Sequence, residues 1–371
     1  MATQLSGPCI IEISLLGESL LGSVVKVAGA FTALLLGSAF ASGQESIQFY
    51  ASYGLFGLGG VVITLLLFAY VAYSLLSAGR EHALVTNEEI FQYYCGGLLG
   101  KILAWYAIAF IASVYWVMIV GAGAALEQAY GLQTWIGRTF MAVISVATIL
   151  LGLRRIVDVI GVVGPILVLI TLLISLLTLT NSGDQLGTNL QRMPNLDLLR
   201  ASPHWALSGV LYVGFSLMGL ASFLPAIGQR LQDRQETRWA AMLGPTFLMS
   251  AMLFVTLALA SQIDQVSSAA MPTMTLAAAI LPELALVFGV FIVLGVYTTA
   301  SPLLWVVCAR FCEENTIGYR GIAISLALIG VFGGSFIPFG QLVNFIYPTV
   351  GYAGVLLMIC MVVKDVRNMR A

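Results

Sequence analysis

Two short stretches of this chain carry residues that a purely apolar sequence has no use for. The first is Gly37-Ser38-Ala39-Phe40-Ala41-Ser42-Gly43-Gln44-Glu45, set inside an apolar run from Val24 to Tyr53. Glycines and serines there weaken a helix, and freed N–H and C=O groups at bilayer depth are tolerated where they line a cavity and bind a solute. Gly37, Ser38, Ala39, Ala41, Ser42, Gly43, Gln44 and Glu45 are therefore candidate substrate-binding residues. Glu45 has two readings. A carboxylate near a helix N-terminus is favoured by the dipole and by open N–H groups, whereas an acid within a membrane commonly marks a binding or proton route. The second stretch is Gly295-Val296-Tyr297-Thr298-Thr299-Ala300-Ser301-Pro302. Adjacent hydroxyls with a carbonyl one turn earlier offer Na⁺ hard oxygen ligands, although threonine also bonds back to its own helix.

The elements that must position these groups follow from composition. Of 371 residues, 60% are hydrophobic and 9% charged, against roughly 25% charged in a soluble domain. The chain is thus an integral membrane protein, with the lipid bilayer as its first partner. Sixteen Lys and Arg against seventeen Asp and Glu leave no basic excess to neutralise phosphates, which excludes nucleic acid as a partner. A span needs about 20 mostly apolar residues, and that criterion predicts about ten spans, at 22–52, 55–79, 98–126, 134–153, 156–181, 205–228, 238–262, 276–309, 318–336 and 339–363. Residues 1–21 read as an amphipathic or peripheral segment before the first span.

Placing both termini in the cytoplasm of a cell-membrane protein puts thirteen basic residues on that side: Lys26, Arg80, Lys101, Arg154, Arg155, Arg230, Arg234, Arg238, Arg310, Arg320, Lys364, Arg367 and Arg370. Three, Arg138, Arg192 and Arg200, remain outside, which is a strong positive-inside bias. The long external connection 183–204 then separates two five-span units, 22–182 and 205–371. An odd number of spans per unit gives the second the opposite topology, the arithmetic of an inverted repeat.

The first span of the second unit has its own glycine-rich stretch, Tyr212-Val213-Gly214-Phe215-Ser216-Leu217-Met218-Gly219. Matching interruptions in two halves point to a transporter's binding site, so Tyr212, Gly214, Phe215, Ser216 and Gly219 join the candidates; glycines as packing notches are the competing reading. Tyr115 in the third span is a candidate aromatic wall beside the solute. Lys26 reads as snorkelling to the interface or as an inner-gate partner of Asp158.

The stretch GSAFASGQE, Gly37 to Glu45, resembles the first-helix signature of the YkvI-like membrane proteins, amino-acid permeases within the amino acid–polyamine–organocation superfamily. Ile346-Tyr347-Pro348-Thr349-Val350-Gly351-Tyr352-Ala353-Gly354 resembles a second stretch of that family. Ser38 and Ala39 depart from the Ala-Gly that relatives tend to carry. The resemblance implies an all-α, LeuT-type five-plus-five inverted repeat with broken first and sixth helices. It also implies secondary transport of an amino acid or similar small zwitterion. It further implies a sodium site between the first and eighth spans, with the Gly37, Phe40 and Gly295 carbonyls and the Thr298 and Thr299 hydroxyls as ligands. Proton coupling through Glu45, or solute binding by a receptor without transport, are the alternatives.

No enzyme is expected. His82 and His204 stand in loops without zinc-ligand spacing, and there is no GxxxxGK[ST] stretch for nucleotide hydrolysis. Cys9, Cys95, Cys308, Cys312 and Cys360 read as free thiols. No cofactor is expected beyond a bound Na⁺.

Overall fold

The computed structural model describes residues 20–35, 38–82, 84, 86–151, 157–314 and 316–370. Nearly all of the expected peripheral segment 1–21 lies outside the described residues, as do Gly37, Arg154 and Arg155, and the side chains of Ser38, Ala39 and Asp158.

The first span contains the described helices α1 (Leu20–Leu35), α2 (Ser38–Ser42) and α3 (Gln44–Phe49), with a break at Gly43 between the last two. Then follow α4 (Leu55–His82), α5 (Asn87–Cys95), α6 (Gly97–Tyr130), α7 (Thr134–Leu151) and α8 (Val157–Ser182). The connection between the two units contains α9 (Leu186–Arg192) between two 3-10 turns. The second unit holds α10 (Trp205–Gly228), α11 (Arg234–Ser261), the short α12 (Ile263–Val266) and α13 (Pro272–Ile280), then α14 (Pro282–Phe311), α15 (Ile317–Gly333) and α16 (Phe339–Arg370). Each expected apolar run therefore holds helix. Among the described residues, seven helices are long and apolar enough to cross a membrane, and residues Trp205–Ala221 and Ile317–Gly333 form shorter apolar helices.

Two expectations need correction. The eighth span begins at Pro282, not at 276, because Leu281 is extended (φ −157°, ψ 123°) and Pro282 starts a new helix. The residues before it form α13, a separate lid. The sixth span is not broken: α10 runs unbroken across Gly214–Gly219. Gly209, Gly214 and Gly228 are contact notches instead, while Gly219 faces open space. A Cβ on Gly214 would lie 2.2 Å from the Gly351 carbonyl oxygen, and one on Gly354 would lie 1.8 Å from the Gly214 carbonyl oxygen. An intact helix satisfies its backbone groups internally at this depth.

The most extensive packing in the molecule is that of α10 against α4 and α16. Glycine seams make it close. On the α4 side, Gly79 faces the Pro225 carbonyl, Gly228 faces the Leu76 carbonyl and Gly209 faces the Gly60 carbonyl, each nearer than any Cβ permits. Small residues let helix backbones approach in just this way where lipid offers no hydrophobic drive.

The helices have a basic end, where Arg80 pairs with Glu81, Arg234 also reaches Glu81, and Arg310 pairs with Glu88. There Tyr70 and Ser74 of α4 both donate to Asp365 Oδ2 of α16, at 2.9 and 2.7 Å. At the opposite end Tyr53 Oη donates to the Ser202 carbonyl, Asn189 Nδ2 donates to the Ala260 and Ser261 carbonyls, and Arg192 pairs with Asp264.

Candidate functional site

The break between α2 and α3 is Gly43, whose φ of +85° puts it in the left-handed region, where a side chain is strained. Its surroundings enforce glycine as well, since a Cβ would stand 2.5 Å from Thr273 Oγ1 on α13. The turn satisfies itself locally: Gly43 N donates to the Phe40 carbonyl (3.0 Å), and Gln44 N to Ser42 Oγ (3.2 Å). α2 packs against α8, α13 and α14, so the break lies at the meeting of both units.

Glu45 follows the break, 3% exposed. Among the described residues its side-chain partner is Tyr212, whose hydroxyl donates to Oε2 at 3.1 Å, and no Lys or Arg forms an ion pair with it. Aromatic rings surround the pair. The Tyr212 ring meets Phe49, Tyr50 and Phe68 edge-on, with centroids 5.2, 5.5 and 6.0 Å away. Phe215, one turn along α10, stacks on Tyr347 of α16 at 4.1 Å and 14°. Ser216 is buried, and its Oγ has no hydrogen-bond partner. A desolvated carboxylate with a single tyrosine donor and an aromatic surround suits a cation that brings its own charge.

Gln44 and Gln48 close the far side. Gln44 Nε2 donates to the Ala269 and Ala270 carbonyls (2.8 and 3.2 Å), and Gln48 Nε2 to Gln44 Oε1 and the Gly340 carbonyl (both 2.8 Å). Gln128 of α6 holds the start of α13 from the other side. It donates to the Met271 carbonyl (2.9 Å) and accepts from Met271 N (2.8 Å). α13 lies over the break at the end opposite the basic one. An open groove of about 300 Å³, lined by Ala69, Tyr73, Arg238, Ala241 and Met242, lies elsewhere, between α4 and α11.

Thr298 Oγ1 and Thr299 Oγ1 both donate to the Gly295 carbonyl, at 2.9 and 3.0 Å. The back-bonding alternative is realised, and it engages both lone pairs of that carbonyl. Phe40 is fully buried in α2, and α2 packs on α14.

The break thus brings together Ala41, Ser42, Gly43, Gln44 and Glu45 with Tyr212 and Phe215. Tyr115 is drawn away from this group, because its hydroxyl is engaged with Ser145 Oγ of α7 at 2.9 Å. Gly214 serves the α10–α16 seam, and a Cβ on Gly219 would meet nothing within 4 Å. The site residues that sequence reasoning passed over are Tyr347, Tyr50, Phe49 and Thr273. Tyr347 lay within the quoted Ile346–Gly354 stretch, so its signal was present. Thr273 had none.

Comparison with known proteins agrees with this architecture. No family model matches the chain. It is 21% identical over 350 residues, 94% of this chain and 98% of the relative, to the uncharacterized membrane protein YkvI of Bacillus subtilis (strain 168). It is 23% identical over 332 residues, 90% of this chain and 94% of the relative, to the uncharacterized protein YyaD of the same organism. Among solved structures it is similar to the inward-facing conformation of Mhp1, with TM-score 0.61 and 14% identity over 91% of this chain and 75% of that one. Mhp1, a nucleobase-cation-symport-1 family transporter, in a closed conformation with bromovinylhydantoin bound, gives TM-score 0.54 and 15% identity over 87% and 74%. The Eremococcus coleocola manganese transporter gives TM-score 0.57 and 15% identity over 94% and 80%. The chain is similar to YkvI along nearly its whole length, and its fold is the LeuT fold shared with these solved structures.

Proposed function

We propose that this protein is a secondary transporter that moves a small ammonium-bearing solute, an amino acid or a similar zwitterion, by alternating access. The observation that carries the reading is the buried Glu45–Tyr212 pair at the α2–α3 break, ringed by aromatic side chains. An isolated buried carboxylate is costly, and a cationic partner offsets that cost. The ammonium of the solute supplies the charge, the Tyr212 hydroxyl fixes the carboxylate, and the Tyr347 and Phe215 rings add their π-faces. The fold shared with transporters supports movement of the solute over mere reception. Uptake of labelled amino acids into proteoliposomes tests the reading; saturable binding with no uptake under any ion gradient would make the protein a receptor instead.

Sodium is the coupling ion that the packing of α2 on α14 favours. The Thr298 and Thr299 hydroxyls give their hydrogens to Gly295, which leaves lone pairs to face a cation. The ligands on α14 are then these two hydroxyl oxygens, with α2 carbonyls near Phe40 opposite. Replacing both threonines by valine keeps the shape and removes two ligands. The expected result is sodium-dependent binding weakened about tenfold to a hundredfold, with thermal stability in potassium little changed. Unaltered sodium dependence in the double variant would transfer the coupling to a proton on Glu45.

Orientation follows from the basic end. With that end cytoplasmic, a cysteine placed at Arg234 reacts with a membrane-impermeant maleimide only after permeabilisation. Labelling of intact cells at that position would invert the molecule and place the α13 lid on the cytoplasmic side.

A further inference from the structure

We propose that the groove between α4 and α11 binds an anionic phospholipid, with the phosphate on Arg238 and one acyl chain along Tyr73, Ala69, Ala241 and Met242. The groove holds about 300 Å³, and these five residues line it. Both helices are long and apolar enough to cross a membrane, so an open furrow between them faces the bilayer. It has the polarity gradient of a lipid molecule. Arg238 lies about 6 Å from the start of α11, at 1.5 Å per residue, near the basic end. Ala69 lies about 20 Å from the end of α4, at hydrocarbon depth. Trp239, beside Arg238 and 48% exposed, marks the interfacial level, where tryptophan is favoured.

The donors in the groove are uncommitted. Among the described residues the Arg238 guanidinium and the Tyr73 hydroxyl make no hydrogen bond or ion pair. The acids at these helix ends are engaged elsewhere. Glu81 is shared by Arg80 and Arg234. Asp233 accepts from Glu236 N at 2.7 Å and Glu236 from Gln232 N at 2.6 Å, both closing the start of α11. Arg238 is thus left to meet a headgroup phosphate, with the Tyr73 hydroxyl a donor for the ester oxygens beneath it. A soluble anion would leave Ala69, Ala241 and Met242 uncovered, so the occupant carries a hydrocarbon chain. A zwitterionic headgroup brings its own ammonium to its phosphate. An anionic one leaves that charge to Arg238 and binds better.

The test titrates the full-length protein in detergent with phosphatidylglycerol, phosphatidylethanolamine and inorganic phosphate. It reads the unfolding midpoint and, by native mass spectrometry, the lipid retained. Phosphatidylglycerol is expected to raise the midpoint saturably, by about 2–4 °C at high occupancy. Phosphatidylethanolamine is expected to bind about fivefold more weakly, and inorganic phosphate to change nothing. Arg238→Gln is expected to weaken phosphatidylglycerol about tenfold and erase its preference over phosphatidylethanolamine. Ala69→Leu fills the furrow and should weaken both lipids alike. Arg238 is exposed and Ala69 half-buried, so the lipid-free midpoints of both variants stay near that of wild type. Equal retention of the two lipids by wild type would overturn the anionic assignment. A saturable response to phosphate alone would replace the lipid by a free ion, and retention unchanged in either variant would overturn the location. Should one variant fail to fold, the wild-type titration and the other variant still decide.

Discussion

Glu45→Gln is expected to abolish solute binding while leaving the helices assembled. The amide keeps the shape of the carboxylate and can still accept from Tyr212, so the 3.1 Å hydrogen bond survives. What disappears is the charge that faces the solute's ammonium. Breaking a buried charge pair by neutralising one partner costs about 3–5 kcal/mol, roughly a hundredfold to several-thousandfold in affinity. Ligand-induced stabilisation in a thermal-shift assay reads this directly, because the unliganded variant, relieved of an unpaired buried charge, should unfold no lower than the unliganded wild type. Undiminished binding in the variant would refute the ammonium assignment. Binding retained with loss of proton-driven uptake alone would move Glu45 to the coupling step.

The second large effect concerns the fold. A methyl added at Gly354 would sit 1.8 Å from the Gly214 carbonyl oxygen, a backbone atom that cannot swing aside. Gly354→Ala must therefore part α10 from α16, at a cost of about 3 kcal/mol or more. It also separates Phe215 from Tyr347, whose rings lie 4.1 Å apart across that seam. Gly219→Ala is the internal comparison. It adds the same atom to α10, the helix that Gly354 of α16 packs against, but meets nothing within 4 Å, so its effect should stay within about 0.5 kcal/mol. Thermal unfolding of the two purified variants separates them; equal midpoints would show that the seam yields more easily than its geometry implies.

The spans were legible in the sequence because hydropathy follows directly from bilayer thickness. The break at Gly43 was legible for a different reason: Gln44 and Glu45 have no place in a lipid-facing helix, so composition alone marked the spot. Gly214 was misread because a helix break and a backbone-to-backbone notch draw on the same residue type. Which one a glycine serves depends on what stands opposite it, here Gly351 and Gly354, more than a hundred residues away in the chain. The α13 lid was hidden because Ile280, Leu281 and Pro282 continue an apolar run without a polar interruption. Tyr115 looked like a wall residue by type, but Ser145 on the neighbouring helix claims its hydroxyl. The identity of residues was readable in each case; their partners were not.

The glycine seams make α4, α10 and α16 a single mechanical block. Helices that touch through side chains can shear, because rotamers readjust as the surfaces slide. Backbone against backbone has no such bearing, and the Asp365 bonds from Tyr70 and Ser74 pin α16 to α4 near the basic end. Tyr212 and Tyr347 therefore travel together, as two teeth of one jaw. Against them lies α2–α3, joined to its surroundings by a left-handed glycine and by amide hydrogen bonds from Gln44 to the loop before α13. Gln48 ties α3 back to that block through the Gly340 carbonyl of α16, so lifting α13 away must part the two Gln44 bonds to the Ala269 and Ala270 carbonyls while α3 stays with α10 and α16.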